Sequence, residues 1–156
     1  MRRRAQMKVA ALLLLALAAA ACSEFGGGTG PISRKIGEVV RDPAAQELDL
    51  ARLTSFGWDR FYFFPAETSR EQICAFIGAG RKHCGRIIRY PVVPAGSVAL
   101  LFGLDGQLTH AELHALENGR FDLQLSPEGH PRSASVFKIR RIPSSSGRDT
   151  VWLGPR

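Results

Sequence analysis

Cysteine is scarce in this chain, with three residues in 156, at Cys22, Cys74 and Cys84. None stands in a CxxC arrangement, which excludes a thioredoxin-like redox centre. Nine residues separate Cys74 from Cys84 and no second ligand pair flanks them, which argues against a zinc site as well. The chain also lacks an uninterrupted run of roughly 20 apolar residues. Its longest, Val9 to Ala21, is too short to stay in a bilayer as a spanning helix. No glycine-rich phosphate loop follows a strand pattern, because the one glycine cluster, GGGTG at 26–30, lies in a linker. Ser144, Ser145 and Ser146 have no glycine-framed nucleophile turn and no usable His–Asp pair, which argues against a serine hydrolase. No internal repeat is visible, so a solenoid is excluded.

What is present begins at the N-terminus. MRRRAQMKVA carries Arg2, Arg3, Arg4 and Lys8, and the apolar run that follows ends in Ala19-Ala20-Ala21-Cys22. A basic start, a short apolar centre and small residues before a cut describe an export signal over 1–21. LALAAAAC, residues 15–22, resembles the lipobox of bacterial lipoproteins, with one departure, Ala19 where Leu is usual. The resemblance implies that Cys22 is lipidated and becomes the new N-terminus. Several acyl chains, at about 0.8 kcal/mol per buried methylene, hold a protein durably to a membrane. Ser23 resembles the outer-membrane sorting state of Gram-negative lipoproteins. The expected address is therefore the cell envelope, lipid-anchored, and in a Gram-negative host the outer membrane facing the periplasm.

Processing changes the charge argument. The full chain has 21 basic and 14 acidic residues, a net +7. Residues 1–21 hold four of the basic residues and no acidic one, so the remainder carries about +3. A nucleic-acid partner is not expected of such an exported chain, while attraction to anionic lipid or cell-wall polymer is compatible with it. About 135 residues remain, enough for one domain with a real core. Residues 22–31 read as a Gly-rich tether with a root-mean-square span of roughly 15–17 Å, and 32–156 as the globular domain.

The domain is organised around Thr54 to Gly78. RFYFF at 60–64 is the densest aromatic run and suits a strand occupied on both faces. Thr68 with Glu71 predicts a capping box opening a helix that Gly78 closes. The exported address lets Cys74 and Cys84 pair, and so short a loop contributes about 2–3 kcal/mol. A helix is expected over Ser33–Arg41. Leu48, Leu50 and Leu53 fit a strand in part, but lean to helix. Arg81–Gly85 reads as a basic turn and Arg86–Tyr90 as a strand. SVALLFGL and QLTHAELH flank Asp105-Gly106, the strongest hairpin signal. An unbroken register sets Leu100 against Ala111, Phe102 against Thr109 and Val98 against Leu113. Strands are expected at Phe121–Leu125, Ala134–Ile142 and Thr150–Leu153. The order predicts an α+β fold in a single small domain, an antiparallel or mixed sheet with helices packed on one face.

Two constellations are candidates for a site. His110, Glu112 and His114 form HxExH, whose histidines would share a helix face as zinc ligands do. On a strand the outer two stand roughly 13 Å apart, too far for one ion, and the register predicts a solvated face for all three. Trp58 and Asp59 are the candidate binding pair; the plainer expectation has Trp58 anchoring the strand entry and Asp59 bonded to backbone donors or to Arg52 or Arg60. Arg81, Lys82, Arg86, Arg89, Lys138, Arg140 and Arg141 are either a basic patch or solvated. No cofactor is expected.

TSFGWDRFYFF, the following PAETSREQICAFIG and VALLFGLDGQLTHAEL together resemble a class of small bacterial lipoproteins of uncharacterised function. The resemblance covers about two-thirds of the processed chain and implies the order of elements, not an activity. The leading functional expectation is a membrane-anchored, non-catalytic binding or protein-interaction module. The alternatives are a small metal-dependent or hydrolytic enzyme, and a structural protein touching cell-wall polymer.

Overall fold

The computed structural model of the chain describes residues 28–156. The expected export signal, Cys22 and most of the expected tether lie outside the described residues. The fold begins with helix α1, Pro31–Arg41, and Pro31 suits the first helical position because its missing N–H has no intrahelical partner there. The helix thus opens two residues before the expected Ser33, and the last residue of the expected tether belongs to it. Ile32, Ile36 and Val40 form its buried stripe. The leucines that fit both periods divide between a strand, β1 (Glu47–Asp49), and one helical turn, α2 (Leu50–Leu53), instead of one helix. Asp49 makes the junction by accepting from Ala51 N at 3.0 Å.

The aromatic run forms β2, Arg60–Phe64. It is followed by α3 (Arg70–Phe76) and α4 (Arg81–Ile87). The hairpin follows as β3 (Ser97–Leu104) and β4 (Gln107–Ala115). Four strands complete the chain: β5 (Arg120–Phe121), β6 (His130–Pro131), β7 (Val136–Ile142) and β8 (Thr150–Pro155). They form two sheets. One is antiparallel, in the order β4-β3-β2-β6; the other is mixed, in the order β1-β7-β8-β5 with β5 parallel to β8. The expected α+β fold in one small domain is what this chain has, with its strands divided between an antiparallel and a mixed sheet.

Two cores flank the antiparallel sheet. The larger lies between that sheet, the mixed sheet and α1, and holds Ile36, Leu48, Trp58, Phe61, Leu100, Phe102, Phe137 and Leu153. The smaller lies against α3 and α4 and holds Phe64, Ile73, Cys74, Cys84, Ile88, Leu101 and Leu113. Both faces of β2 are therefore occupied, as its composition requires. Each large apolar side chain so buried contributes about 1.5–3 kcal/mol.

Several local expectations are corrected. The capping box of α3 is Ser69 with Gln72, one residue later than Thr68 with Glu71, and Thr68 instead donates to Pro65 O at 2.8 Å. Gly78 does take the left-handed conformation (φ 71°) that ends the helix. The stretch 81–87 is helix, not a turn and a strand. Cys84 and Ile88, four apart, are both fully buried, and tertiary burial there overrides the β-branched character of Ile87 and Ile88. Of FDLQL only Phe121 is strand, facing Leu153 of β8, with Asp122 N donating to Leu153 O just beyond it.

Cys74 and Cys84 form the expected disulfide, with Cα atoms 6.0 Å apart, joining α3 to α4. Replacing both by serine is expected to lower stability by about 2–3 kcal/mol. Urea unfolding of the oxidised protein against the double variant measures this, and an unchanged midpoint would refute it. Among the described residues no helix is long and apolar enough to cross a membrane.

Candidate functional site

The hairpin turn sits where the sequence puts it. Asp105 (φ 51°) and Gly106 (φ 74°) both take the positive φ of a type I′ turn. The register does not run on unbroken. Leu104 faces Gln107 and Gly103 faces Leu108, but Phe102 faces His110, so Thr109 is an extra residue. Its hydroxyl donates to Phe102 O at 3.2 Å. Beyond this β-bulge every pairing is displaced by one: Leu101 faces Ala111, Leu100 faces Glu112 and Val98 faces His114. A one-residue slip moves a strand's alternate side chains to the opposite face. His110, Glu112 and His114 therefore share the face of Leu100 and Phe102, turned to the larger core. The expected solvated face is overturned: Glu112 is 7 % exposed and His114 is fully buried.

Each member of HxExH has separate work. Glu112 Oε1 accepts from Ser33 N, at the third position of α1, at 2.8 Å. A carboxylate from a strand thus caps the helix N-terminus, where the exposed N–H groups and the helix dipole favour a negative charge. Gly30, the N-cap, has no room for a side chain, since a Cβ there would lie 2.2 Å from Glu112 Cδ. Glu112 Oε2 is 3.1 Å from His110 Nε2, and the His110 ring packs on Phe56 at 4.7 Å between centroids. His114 Nε2 bonds Gly119 O at 2.7 Å, while its Nδ1 is buried without a partner. Ser33 Oγ accepts from Ala115 N and from Asn118 Nδ2, both at 3.1 Å, completing a polar seam between α1 and β4. Among the described residues no group of three His, Cys, Asp or Glu side chains is placed to hold a metal ion.

Burial pushes the His114 pKa down, against smaller upward effects from the Gly119 carbonyl and the Glu112 charge. The unfolded chain then binds the proton more readily than the folded one. Stability is fully present above the unfolded value of about 6.5 and is lost as pH falls through the folded value. Urea midpoints at about pH 7.5 and 5.5 should show the loss, and His114→Gln should flatten it. An equal slope in the variant would refute the assignment.

Trp58 is 3 % exposed and donates from Nε1 to Thr54 Oγ1 at 2.8 Å. The Arg132 guanidinium lies over its ring at 4.7 Å and also donates to Trp58 O. Asp59 is exposed and its Oδ2 accepts from Asp105 N at 3.2 Å, steadying the hairpin turn. These contacts follow the plainer expectation for both residues. Asp59 also borders a cleft of about 360 Å³, with Tyr62 and His83. Of the basic residues, Arg140 pairs with Asp122, and Arg141 donates to Ala45 O, Val40 O and Asp42 O. Arg141 thereby caps the C-terminus of α1 as Glu112 caps its N-terminus.

A cleft of about 800 Å³ runs along the outer edge of β4. Thr109 to Leu113 form one side, and the far side is Arg86 of α4 with the segment from Arg89 to Pro94. That far wall is fixed from behind: Arg70 N donates to Pro91 O, Val93 N to Thr68 O and Glu67 N to Val93 O. The Tyr90 hydroxyl is buried without a partner. Burial first, and then the Glu112 charge, raise its pKa far above the ordinary tyrosine value, so it stays a protonated donor. Sequence reasoning placed Arg86 and Arg89 in a candidate basic patch but missed Tyr90 beside them, because 86–90 read as a strand. It also missed Gly30, which looked like one more linker glycine. No family model matches the chain, and no curated protein or solved structure does either.

Proposed function

We propose that this chain is a non-catalytic binding module of the cell envelope, anchored by lipid on Cys22 and taking its partner in the cleft beside β4. In a Gram-negative host it faces the periplasm from the outer membrane. The observation that supports the site is a cleft of about 800 Å³ whose far wall is fixed from behind and carries the exposed Arg86 and Arg89. Ligand sites are commonly apolar concavities with a few polar groups left to fix orientation. The address rests on the lipobox alone. Gly28 borders the cleft six residues after Cys22, so the connection spans at most about 22 Å. A partner in the cleft is thus close to the membrane surface.

The test is cross-linking in membranes of the native host, followed by recovery of the full-length protein. A partner recovered with the unaltered protein and lost with Tyr90→Phe plus Arg89→Glu, but kept with Asp59→Ala, supports the site. Equal recovery from all three would refute it, and mass spectrometry showing an unmodified N-terminus would refute the anchor. A metal-dependent enzyme is the second reading, because His110 and Glu112 also border the cleft; metal analysis of the purified protein separates the two. Contact with cell-wall polymer is tested by salt-sensitive pelleting with peptidoglycan.

A further inference from the structure

We infer that the cleft takes an extended acidic peptide, which adds to β4 as a further strand; this rests on the binding-module reading above. β4 is one of the two edge strands of the antiparallel sheet and is nine residues long. An edge of that length is a template for pairing with another chain, and proteins usually shorten it, charge it, interrupt it with proline or cover it. Here the two ends of the edge are closed by the chain itself. Leu113 O accepts from Gly30 N at 3.0 Å, and Leu108 O is 2.7 Å from His83 Nε2.

The middle of the edge is left open. Because Leu113 O points away from β3, the antiparallel alternation points the N–H and C=O of Ala111 away from it as well. Among the described residues nothing pairs with them, and Ala111 borders the cleft. From Leu108 to Leu113 the edge runs about 17 Å, the length of a five-residue strand. The far wall contains Pro91 and Pro94, which lack the N–H needed to close onto β4 themselves. Strand addition supplies affinity through backbone bonds and specificity through alternate side chains.

Charge decides which peptide. Arg86 and Arg89 are exposed on the cleft wall, and neither has an ion-pair partner among the described residues. Among the described residues the one carboxylate bordering the cleft, Glu112, is buried and already engaged by Ser33 N and His110. The open charge is positive, so acidic side chains on the added strand are favoured and basic ones repelled.

The experiment uses the full-length protein purified from membranes in detergent. Its probes are three blocked hexapeptides: alternating Val and Glu, the same with Lys for Glu, and the Glu peptide N-methylated at alternate residues. Fluorescence anisotropy should show the Glu peptide binding at least about tenfold tighter than the other two. Hydrogen–deuterium exchange over residues 107–115 should slow when the Glu peptide is added. Arg86→Glu with Arg89→Glu should weaken the Glu peptide at least about tenfold and favour the Lys peptide. Ala111→Pro, tolerable on an edge whose N–H faces outward, should weaken all binding.

Equal affinity for Glu and Lys peptides overturns the inference, and so does equal affinity for the N-methylated one. An Ala111 amide already protected without peptide also overturns it, since the chain itself or a second copy then covers the edge. If no peptide binds while membrane cross-linking still depends on Tyr90 and Arg89, this inference falls and the binding-module reading stands.

Discussion

Trp58→Ala is expected to lower stability by about 3–5 kcal/mol, the range for removing a large aromatic side chain from a core. The ring is 3 % exposed and meets Phe102 at 5.1 Å and Phe61 at 5.9 Å, edge to face in both cases. Its loss also leaves the Thr54 hydroxyl without the indole donor and uncovers the Arg132 guanidinium. Trp58→Phe keeps most of the packing and gives up the 2.8 Å bond, so about 1–2 kcal/mol is expected there. Urea unfolding followed by far-ultraviolet circular dichroism measures both. A Trp58→Ala loss below about 1 kcal/mol would mean the ring is not packed as described. A binding defect in this variant would report a damaged core and would not locate a binding site.

Glu112→Ala should cost about 3 kcal/mol, from the lost charged cap and a buried Ser33 N–H left unpaired. Glu112→Gln separates the contributions, because the amide oxygen can still accept from Ser33 N. It should cost about 1 kcal/mol, the part owed to charge at the helix end and to the His110 contact. The solvated face expected from an unbroken hairpin register would make both changes nearly neutral. Thermal unfolding of the two variants therefore tests the bulge at Thr109 as directly as it tests the cap, and equal, negligible shifts would refute both.

The elements with strong local signals were legible in the sequence. RFYFF could only be a strand with two covered faces, Asp105-Gly106 could only be a tight hairpin turn, and the spacing of Cys74 and Cys84 left a disulfide as the best use of both. The helix at 81–87 was hidden, because Ile87 and Ile88 argue for a strand until Cys84 and Ile88 are seen to enter one core together. The cleft was hidden for a related reason. Nothing in THAELH marks Thr109 as an extra residue, and without that residue His110, Glu112 and His114 fall on the wrong face. Gly30 was equally silent, since its need for space comes from Glu112, 82 positions away. Local periodicity fixes which segments form; one inserted residue decides what they present to each other.

The two caps of α1 come from far along the chain. Glu112 lies 79 positions beyond Ser33, and Arg141 lies 101 beyond Val40. During synthesis α1 therefore waits for β4 before its N-terminus is satisfied, and for β7, the last strand but one, before its C-terminus is. Contacts of such sequence separation slow folding, because long loops must close before they are rewarded. If the chain is exported N-terminus first, as proposed above, the apolar stripe of Ile32, Ile36 and Val40 reaches the far side long before its cover does. A chaperone that shields emerging segments should then raise the yield of native protein, and shield this stripe before any other.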